Sequence, residues 1–540
     1  MYVTLYRMDS DTPKRAPLAW DAWGDPARAY SLPDQVRTLI ADVFRVGPRD
    51  DVGLDQADVQ LRPSALAPHD YEALTALVGD GGVTIEPADR LRHAGGKSTS
   101  DLFRRQSSEQ DAPDAIVAPP THDAVTHVLA YCADHAIAVV PYGGGTSVVG
   151  GLDPVRTSHA RVIALDLCNL DELESLDRTS GLATLGAGLT GPQAEAILAE
   201  RGFTLGHFPQ SFEHASIGGF AATRSSGQAS SGYGRFDDMV QALMVATPSG
   251  TLCLGRAPSS AAGPDLRQLF LGSEGTLGVI TDVTVRVREQ PEHTEYAAWS
   301  FPDFATGTEA IRTLVRAGAR PTVLRLSDEA ETATNRMLSG PSSSEPPCLA
   351  IATFEGSVDR AERELTYARD ILEACSGSWL GAEPATGWER GRFEAPYLRD
   401  ALLRSGVLAE TLETATTWSN LGALRTAVTD ALTATLTALG TPPLVMCHVS
   451  HTYATGASLY FTVACAQADD PLAQWSAAKR AAGDALVASG GTITHHHAVG
   501  ADHRAWMHDE IGDLGIDVLR AVKNVVDPAG VLNPGKLLPG

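Results

Sequence analysis

A chain of 540 residues exceeds what one hydrophobic core usually serves, so at least two domains are expected. Hydrophobic residues make up 43% of the chain and charged residues 20%, which is typical of a globular protein rather than a fibrous or disordered one. The formal net charge of −24 argues against a nucleic-acid partner and against electrostatic docking on anionic membranes, because no basic field would attract phosphate groups.

The seven cysteines form no Cys-x-x-Cys pair, and their odd number does not fit a disulfide framework. They favour a reduced, cytoplasmic protein. The first 17 residues lack the apolar segment of a secretory signal, and no apolar run reaches the roughly 18 residues of a membrane-spanning helix. We therefore expect a cytoplasmic homodimer without a transmembrane segment, and peripheral contact with a membrane stays open.

Residues 1–113 are predicted to form an N-terminal arm, because they show little hydrophobic periodicity. Residues 20–26 are a turn-rich aromatic cluster. The basic stretch of residues 90–105 is expected mainly in solvent, with a place on a binding site as the alternative.

A helix, a strand and a glycine-rich loop follow. Thr121 can cap a helix whose apolar residues recur on one face, and residues 137–140 form a short buried strand. Residues 141–151 then read Pro-Tyr-Gly-Gly-Gly-Thr-Ser-Val-Val-Gly-Gly. Three consecutive glycines let backbone N–H groups converge on an anion, so this glycine loop predicts a phosphate cradle. A flexible surface turn is the alternative, and a dinucleotide fingerprint is disfavoured because no helical period follows.

Two more glycine-containing blocks lie downstream of the glycine loop. Residues 206–219 read Gly-His-Phe-Pro-Gln-Ser-Phe-Glu-His-Ala-Ser-Ile-Gly-Gly, and residues 273–280 read Ser-Glu-Gly-Thr-Leu-Gly-Val-Ile. From residue 114 to 290, short apolar strands alternate with glycine turns and helices, which indicates an α+β domain.

Beyond residue 291 the pattern changes to strand–helix–strand units. Two such units predict a cap domain with one antiparallel sheet and helices on one face. Two more strands and two more helices follow, and the last helix carries five apolar residues on one side: Leu514, Val518, Leu519, Val522 and Val525.

Together these blocks resemble the flavin-binding half of the vanillyl-alcohol oxidase superfamily and are most similar to the alkyldihydroxyacetonephosphate synthase family. The likeness runs from about residue 90 to the C-terminus, with a weaker echo at residues 20–26. It implies an α+β fold, with a PCMH-type FAD-binding domain at residues 114–290 and an α+β, ferredoxin-like cap domain at residues 291–490. Residues 491–540 would close on the FAD domain. We expect FAD to be held without a covalent bond, because residues 142–151 contain neither histidine nor cysteine.

The resemblance also implies the residues that contact the flavin. They are Pro141, Tyr142, Gly143, Gly144, Gly145, Thr146, Ser147, Gln210, Ser211, Phe212, Glu213, His214, Ala215, Ser216, Thr223, Arg224, Ser225, Ser226, Glu274, Gly275, Thr276, Leu277, Gly278, Val279 and Ile280. Two positions depart from the family's pattern. His214 stands where an aromatic residue is usual, and Ala498 follows the three histidines where the family has glycine.

The cap supplies the candidate catalytic residues. Strand periodicity places Tyr460 on the face opposite Leu459, Phe461 and Val463. The resemblance assigns catalysis to Tyr460, His495, His496 and His497, and phosphate binding to Arg399 and Arg325. A satisfied core tyrosine is the structural alternative for Tyr460. No metal is expected at the three histidines, because adjacent residues of an extended segment point to opposite faces.

The resemblance implies an exchange reaction without net redox change. Tyr460, assisted by an imidazole, would remove an acidic proton from acyl-dihydroxyacetone phosphate. A flavin N5 adduct would form, fatty acid would leave, and a long-chain alcohol would replace it in ether-lipid synthesis. One alternative is an FAD-linked dehydrogenase or oxidase of a 2-hydroxy acid such as lactate or glycolate. Those relatives usually carry Gly-Glu-His-Gly-Ile-Gly where this chain has residues 494–500, and the missing glutamate favours the synthase. A flavin-fold protein used only for binding is the third alternative.

Overall fold

A computed structural model describes residues 18–47, 53–156, 159–339 and 348–539. None of the helices in these ranges is long and apolar enough to cross a membrane. The described elements before residue 113 are α1 (Asp34–Phe44), β1 (Gln60–Leu61), α2 (Pro68–Val78), β2 (Val83–Thr84), α3 (Pro87–Arg92), α4 (Thr99–Arg104) and β3 (Glu109–Gln110).

The glycine-loop domain, residues 115–289, contains short strands and short helices. Its elements are β4 (Ala115–Val117), α5 (His122–Asp134), β5 (Ile137–Tyr142), β6 (Arg161–Asp166), β7 (Leu173–Asp177), β8 (Leu182–Gly186), α6 (Gly191–Ala199), β9 (Phe203–Thr204), α7 (Ile217–Thr223), α8 (Ser230–Tyr233), α9 (Phe236–Met239), β10 (Val240–Thr247), β11 (Gly250–Leu254), α10 (Arg267–Phe270), β12 (Val279–Arg286) and β13 (Arg288–Glu289).

Two sheets form the framework of this domain. One is four-stranded in the order β2-β4-β6-β5, and the other is five-stranded in the order β11-β10-β12-β8-β7. The Thr121 hydroxyl accepts a hydrogen bond from the Ala124 N–H and caps α5, which leads into β5 and the glycine loop. Strand β2 pairs with β4, so part of the predicted N-terminal arm is built into the first sheet.

The cap domain, residues 293–488, follows. Its elements are β14 (His293–Phe301), α11 (Phe304–Arg316), β15 (Val323–Ser327), α12 (Glu329–Ser339), β16 (Cys348–Gly356), α13 (Val358–Ala374), β17 (Ser378–Gly381), α14 (Glu383–Gly391), α15 (Ala395–Arg404), β18 (Val407–Thr417), α16 (Leu421–Ala438), β19 (Leu444–Thr452), β20 (Gly456–Ala466) and α17 (Pro471–Ala488). Helix α18 (Met507–Val526) lies in the C-terminal segment.

One seven-stranded antiparallel sheet forms the cap, in the order β17-β14-β16-β15-β19-β20-β18. Its first four strands have the ferredoxin-like order, and β18, β19 and β20 with α16 and α17 repeat that order without a fourth strand. Leu459, Phe461 and Val463 pack in one core with residues of α11, α13, α16 and α17. Tyr460 and Thr462 point away from that core into a cavity. The predicted α+β fold with a ferredoxin-like cap is confirmed.

The expectation that residues 90–105 lie mainly in solvent is wrong for three of their basic residues. Arg90, Lys97 and Arg105 are buried rather than solvated, and the Arg90 Nε donates to the Pro113 carbonyl at 2.6 Å. The apolar side of α18 is partly buried: Leu519 and Val522 pack against core residues, whereas Leu514 is 77% exposed and Val525 73% exposed. Gly512 breaks the helical geometry with φ 72°, and Ile516 is the residue of the second part that is fully buried.

Candidate functional site

A cavity of about 750 Å³ lies between the glycine-loop domain and the face of the cap sheet that carries Tyr460 and Thr462. This volume is within the size range of cofactor and ligand pockets. It brings together most of the residues that the sequence predicted for the flavin site. The lining members are Pro141, Tyr142, Gly143, Gly144, Gly145, Thr146, Ser147, Gln210, Ser211, Ala215, Ser216, Thr223, Ser225, Ser226, Glu274, Gly275, Gly278, Val279 and Ile280.

Six predicted flavin contacts do not line the cavity: Phe212, Glu213, His214, Arg224, Thr276 and Leu277. Four of them have structural partners instead. Glu213 pairs with Arg28 at 2.5 Å, and Arg224 donates to the Leu271 carbonyl. The Phe212 ring stacks on Phe393, and His214 meets Trp23 edge-on. These residues support the wall of the cavity from behind its lining residues.

The glycine loop also needs glycine for its packing within the protein. A Cβ on Gly144 would lie 1.9 Å from the carbonyl oxygen of His214, and one on Gly143 would lie 2.4 Å from the Ser216 hydroxyl. Gly145 has φ 71°, a conformation that favours glycine. The loop therefore packs closely on residues 214–216, and this contact by itself excludes a side chain at Gly144.

Buried polar atoms without a partner indicate where a polar ligand fits. Among the described residues, Gln210 Nε2 and Ser226 Oγ are buried, line the cavity and have no hydrogen-bond partner. Leaving such atoms unpaired costs free energy, so these positions fit a ligand rich in hydrogen-bonding groups. The glycine loop, residues 210–216 and residues 274–280 together would hold the FAD.

Tyr460 lies on β20 in a ring of histidines. Its ring stacks on His448 at 5.0 Å and faces His496 and His497 at 6.0 and 5.7 Å between centroids. Burial raises the pKa of Tyr460 to about 12, so its hydroxyl is protonated at neutral pH. Tyr460 can therefore accept a proton only while its own proton moves to a neighbour. Its hydroxyl interacts with Thr411, and the three imidazoles are the titratable rings that lie beside its own ring.

The three consecutive histidines are held by Glu413 of β18. The backbone N–H of His495 donates to its carboxylate at 2.5 Å, that of His496 at 3.1 Å and that of His497 at 2.8 Å. His496 and His497 line the cavity, whereas His495 lies behind them and meets the Tyr453 hydroxyl at 2.5 Å. Burial lowers the pKa of all three imidazoles, which favours their neutral form.

Ala498 explains why the family has glycine after these histidines. Its φ of 75° lies in the left-handed region, which a side chain disfavours. The next two residues donate their backbone N–H groups to Glu274, at 3.1 Å from Val499 and 2.9 Å from Gly500. Burial raises the pKa of Glu274 to about 7. Glu274 thus ties the histidine segment to the flavin side of the cavity.

The expectation that the adjacent histidine side chains point to opposite faces of an extended segment is wrong. Ring nitrogens of His451, His495 and His496 converge to within 4.8 Å, because the chain bends at this point instead of running as a strand. The nitrogens already take part in hydrogen bonds. His451 Nε2 lies 3.0 Å from the Gly227 carbonyl, and the Nδ1 atoms of His495 and His496 are 3.0 Å apart.

Both predicted phosphate-binding arginines line the cavity, but they differ in how many N–H groups they already use within the protein. Arg399 uses Nε and Nη2 on the Asp400 carboxylate and Nη1 on the Lys97 carbonyl. Arg325 uses Nη2 on Glu331 at 2.6 Å and on His448 at 3.1 Å. The bidentate edge of Arg399 faces Asp400, so Arg325 has more donors left for an anion.

Sequence reasoning missed four residues of the site. His448 and His451 lie on β19, Glu410 and Glu413 on β18. Strand periodicity places Met446, His448 and Ser450 on one face of β19, and that face lines the cavity, so the period was a usable signal for His448. Strand β18 was not predicted, so its two buried carboxylates had no place in the site.

A segment near the N-terminus also closes the cavity. The Lys97 ammonium donates to the carbonyls of Ala19 and Trp20, and the Trp23 N–H donates to Asp400 at 2.5 Å. Trp23 lines the cavity. Residues 18–28 thus bridge both domains and support the aspartate that orients Arg399.

Comparisons with known proteins agree with this site. The "FAD binding domain" family profile matches residues 113–254, and "FAD linked oxidases, C-terminal domain" matches residues 290–537. The chain is 30% identical to an alkyldihydroxyacetonephosphate synthase of Trypanosoma brucei brucei over 97% of this chain and 92% of that protein. It is 33% identical to the synthase of Dictyostelium discoideum, over 83% of this chain and 77% of the relative.

A solved structure of an alkyldihydroxyacetonephosphate synthase superposes with a TM-score of 0.83 at 29% identity, covering 96% of this chain and 99% of that one. The shared architecture, the matched FAD-binding domain and the identity over nearly the whole length agree with one another. The chain is therefore an FAD-dependent enzyme that belongs to the alkyldihydroxyacetonephosphate synthase family.

Proposed function

We propose that the enzyme exchanges the acyl chain of acyl-dihydroxyacetone phosphate for a long-chain alcohol, a step of ether-lipid synthesis. The observation that carries this proposal is the apolar arm of the cavity. Its walls come from α1, α15 and the strands β19 and β20. The residues are Val36, Leu39, Ile40, Val43, Phe44, Leu398, Leu402, Leu444, Met446 and Ala464. A long alkyl chain would bury this surface, whereas a small 2-hydroxy acid would leave it empty.

The polar end of the cavity supplies the complementary chemistry. Arg325 and Arg399 bind the phosphate and orient the ketone beside Tyr460. The C–H proton passes to the Tyr460 oxygen as the Tyr460 hydroxyl proton passes to an imidazole of His496 or His497. FAD held by the glycine loop and residues 274–280 would supply an electron-deficient centre for the carbon. The exchange releases fatty acid as the alcohol is incorporated, so it involves no net redox change.

An anaerobic mixing experiment tests the reaction class. With acyl-dihydroxyacetone phosphate and a long-chain alcohol, we expect release of fatty acid in equal amount to the ether product, and flavin that is oxidised at the end. A panel of 2-hydroxy acids serves as the comparison. Lasting bleaching of the flavin by lactate or glycolate, without fatty acid release from the ketone phosphate, would contradict the proposal and favour the dehydrogenase.

Arg325→Lys tests the phosphate site. The lysine keeps a positive charge beside Glu331 but loses the planar fork. We expect KM for the ketone phosphate to rise about tenfold, with kcat changed by less than about twofold, since one charge-assisted hydrogen bond contributes about 1.5 kcal/mol. Arg369→Lys, on an exposed arginine of α13, is the matched control. An unchanged KM in Arg325→Lys would remove this arginine from substrate binding.

We further propose a cytoplasmic location and a homodimer. All seven cysteines are unpaired, which supports a reducing compartment. The exposed apolar side chains of α18 support contact with a second copy, and peripheral membrane contact is the competing use of that surface. Cell fractionation and light scattering of the purified enzyme test these two proposals.

A further inference from the structure

Glu413 occupies an unusual place beneath the site. It lies on β18 directly opposite Tyr460 of β20 and is 3% exposed. Its carboxylate accepts four different donors: the Thr494 hydroxyl at 2.7 Å and the three backbone N–H groups of residues 495–497. No other described carboxylate contacts the backbone of these histidines.

The charge of Glu413 has no permanent cation beside it. Within the described ranges, no lysine or arginine nitrogen lies within 4.0 Å of its carboxylate, and its ion-pair partners are His496 Nδ1 at 3.7 Å and His497 Nδ1 at 3.9 Å. A buried carboxylate is costly unless it is hydrogen-bonded or paired. Here the hydrogen bonds stabilise the anion, and its field remains available to an imidazole that gains a proton.

We propose that Glu413 is a positioning residue that fixes the backbone of residues 495–497 and stabilises the imidazolium formed when the Tyr460 hydroxyl proton moves to this segment. The inference rests on the proposed function, because it assigns Glu413 to the proton transfer of that reaction. Glu413 does not touch the substrate. It acts through His496 and His497.

The other charged and titratable groups around the histidines do not replace it. Glu410 of β18 is engaged by the N–H groups of Thr99 and Thr411, and Lys479 of α17 is paired with Asp502 at 2.7 Å. The remaining titratable neighbours are Tyr460, Tyr453, His451 and Arg235. Glu413 is therefore the anion closest to His496 and His497.

Glu413→Gln tests the proposal. The carboxylate favours the protonated imidazole, so its removal makes that imidazole less basic. In the kcat/KM profile of the wild type, activity is lost on the acid side when the imidazole is already protonated. We expect this acid limb to move to lower pH by about one unit in Glu413→Gln. We also expect kcat to fall about tenfold, with KM and flavin content unchanged.

Two variants separate the charge from the scaffold. Thr494→Val removes one donor to Glu413 and keeps the carboxylate, so the acid limb is expected to stay in place. Glu413→Asp keeps the charge and is expected to restore the wild-type limb even if kcat stays reduced. An acid limb that does not move in folded, flavin-containing Glu413→Gln overturns the proposal, as does an equal shift in Thr494→Val.

The failure of the proposed function is distinguishable from failure of this inference. If the wild type releases no fatty acid but reduces its flavin with a 2-hydroxy acid, the exchange reaction is refuted. The assignment of Glu413 to the exchange reaction is then refuted with it. If the wild type performs the exchange and only the pH profile of Glu413→Gln is unmoved, the proposed function stands and Glu413 is a structural residue alone.

Discussion

Tyr460→Phe is expected to lower turnover about 100-fold or more while fold and flavin content are retained. Only a hydroxyl is lost, from the polar face of β20, and the ring contact with His448 can persist. The expected loss is large because, in the proposed reaction, this oxygen is the atom through which the substrate proton passes. Steady-state release of fatty acid and flavin absorbance measure the two effects separately.

Thr462→Val is the matched control, because Thr462 is the next residue of β20 that lines the cavity. It also loses a hydroxyl, and we expect less than about a twofold change in turnover. Turnover of His497→Ala is expected to fall as far as that of Tyr460→Phe. Turnover of the double mutant should fall no further, since the two residues would act as one unit. Near-full exchange activity in Tyr460→Phe would exclude the tyrosine from the chemistry and favour the hydroxy-acid dehydrogenase.

Gly144→Val is expected to yield largely flavin-free protein. The first carbon of the new side chain would collide with the His214 carbonyl at 1.9 Å and with the Cα of Ala215 at 2.7 Å. Because both contacts are backbone, neither can rotate away, and the glycine loop must separate from residues 214–216. Absorbance of the purified variant, compared with wild type, measures the bound flavin.

Gly422→Val controls for the general cost of replacing a glycine. Gly422 lies in α16, and nothing lies within 4 Å of a Cβ added there, so its flavin content should equal that of the wild type. In the wild type and in Gly422→Val, acid precipitation should release the flavin into solution, as expected for FAD without a covalent bond. Normal flavin content in Gly144→Val would mean that the loop is only a turn.

Local sequence patterns were sufficient to place the glycine loop on a ligand cavity and to predict which face of β20 carries Tyr460. The three glycines of residues 143–145 line the cavity. A run without Cβ atoms is typical of a backbone segment that a ligand or another backbone approaches closely, and this is visible in the sequence alone. Tyr460 faces the cavity and Leu459 the core, because a strand alternates its side chains by geometry alone. Both features depend on neighbours in sequence, and the sequence states those neighbours directly.

The tertiary structure alone decided which groups meet in the site. Glu413 reaches residues 494–497 across about 80 positions of the chain, and Lys97 is buried because its ammonium binds carbonyls of residues 19 and 20. The resemblance assigned phosphate binding to Arg399, but Asp400 and the Lys97 carbonyl occupy three of its N–H groups. Helix α1 forms a wall of the apolar arm, and the prediction of an arm with little pattern missed the helical spacing of its apolar residues.

The same physical reason explains why none of these contacts could be predicted from the sequence. A buried charge is stable only where distant segments bring donors or counter-charges to it, and no local period encodes such a meeting. Periodicity therefore determined the elements and their faces in this protein, whereas the packing of the cap against the glycine-loop domain determined which buried ions and hydrogen bonds complete the catalytic site.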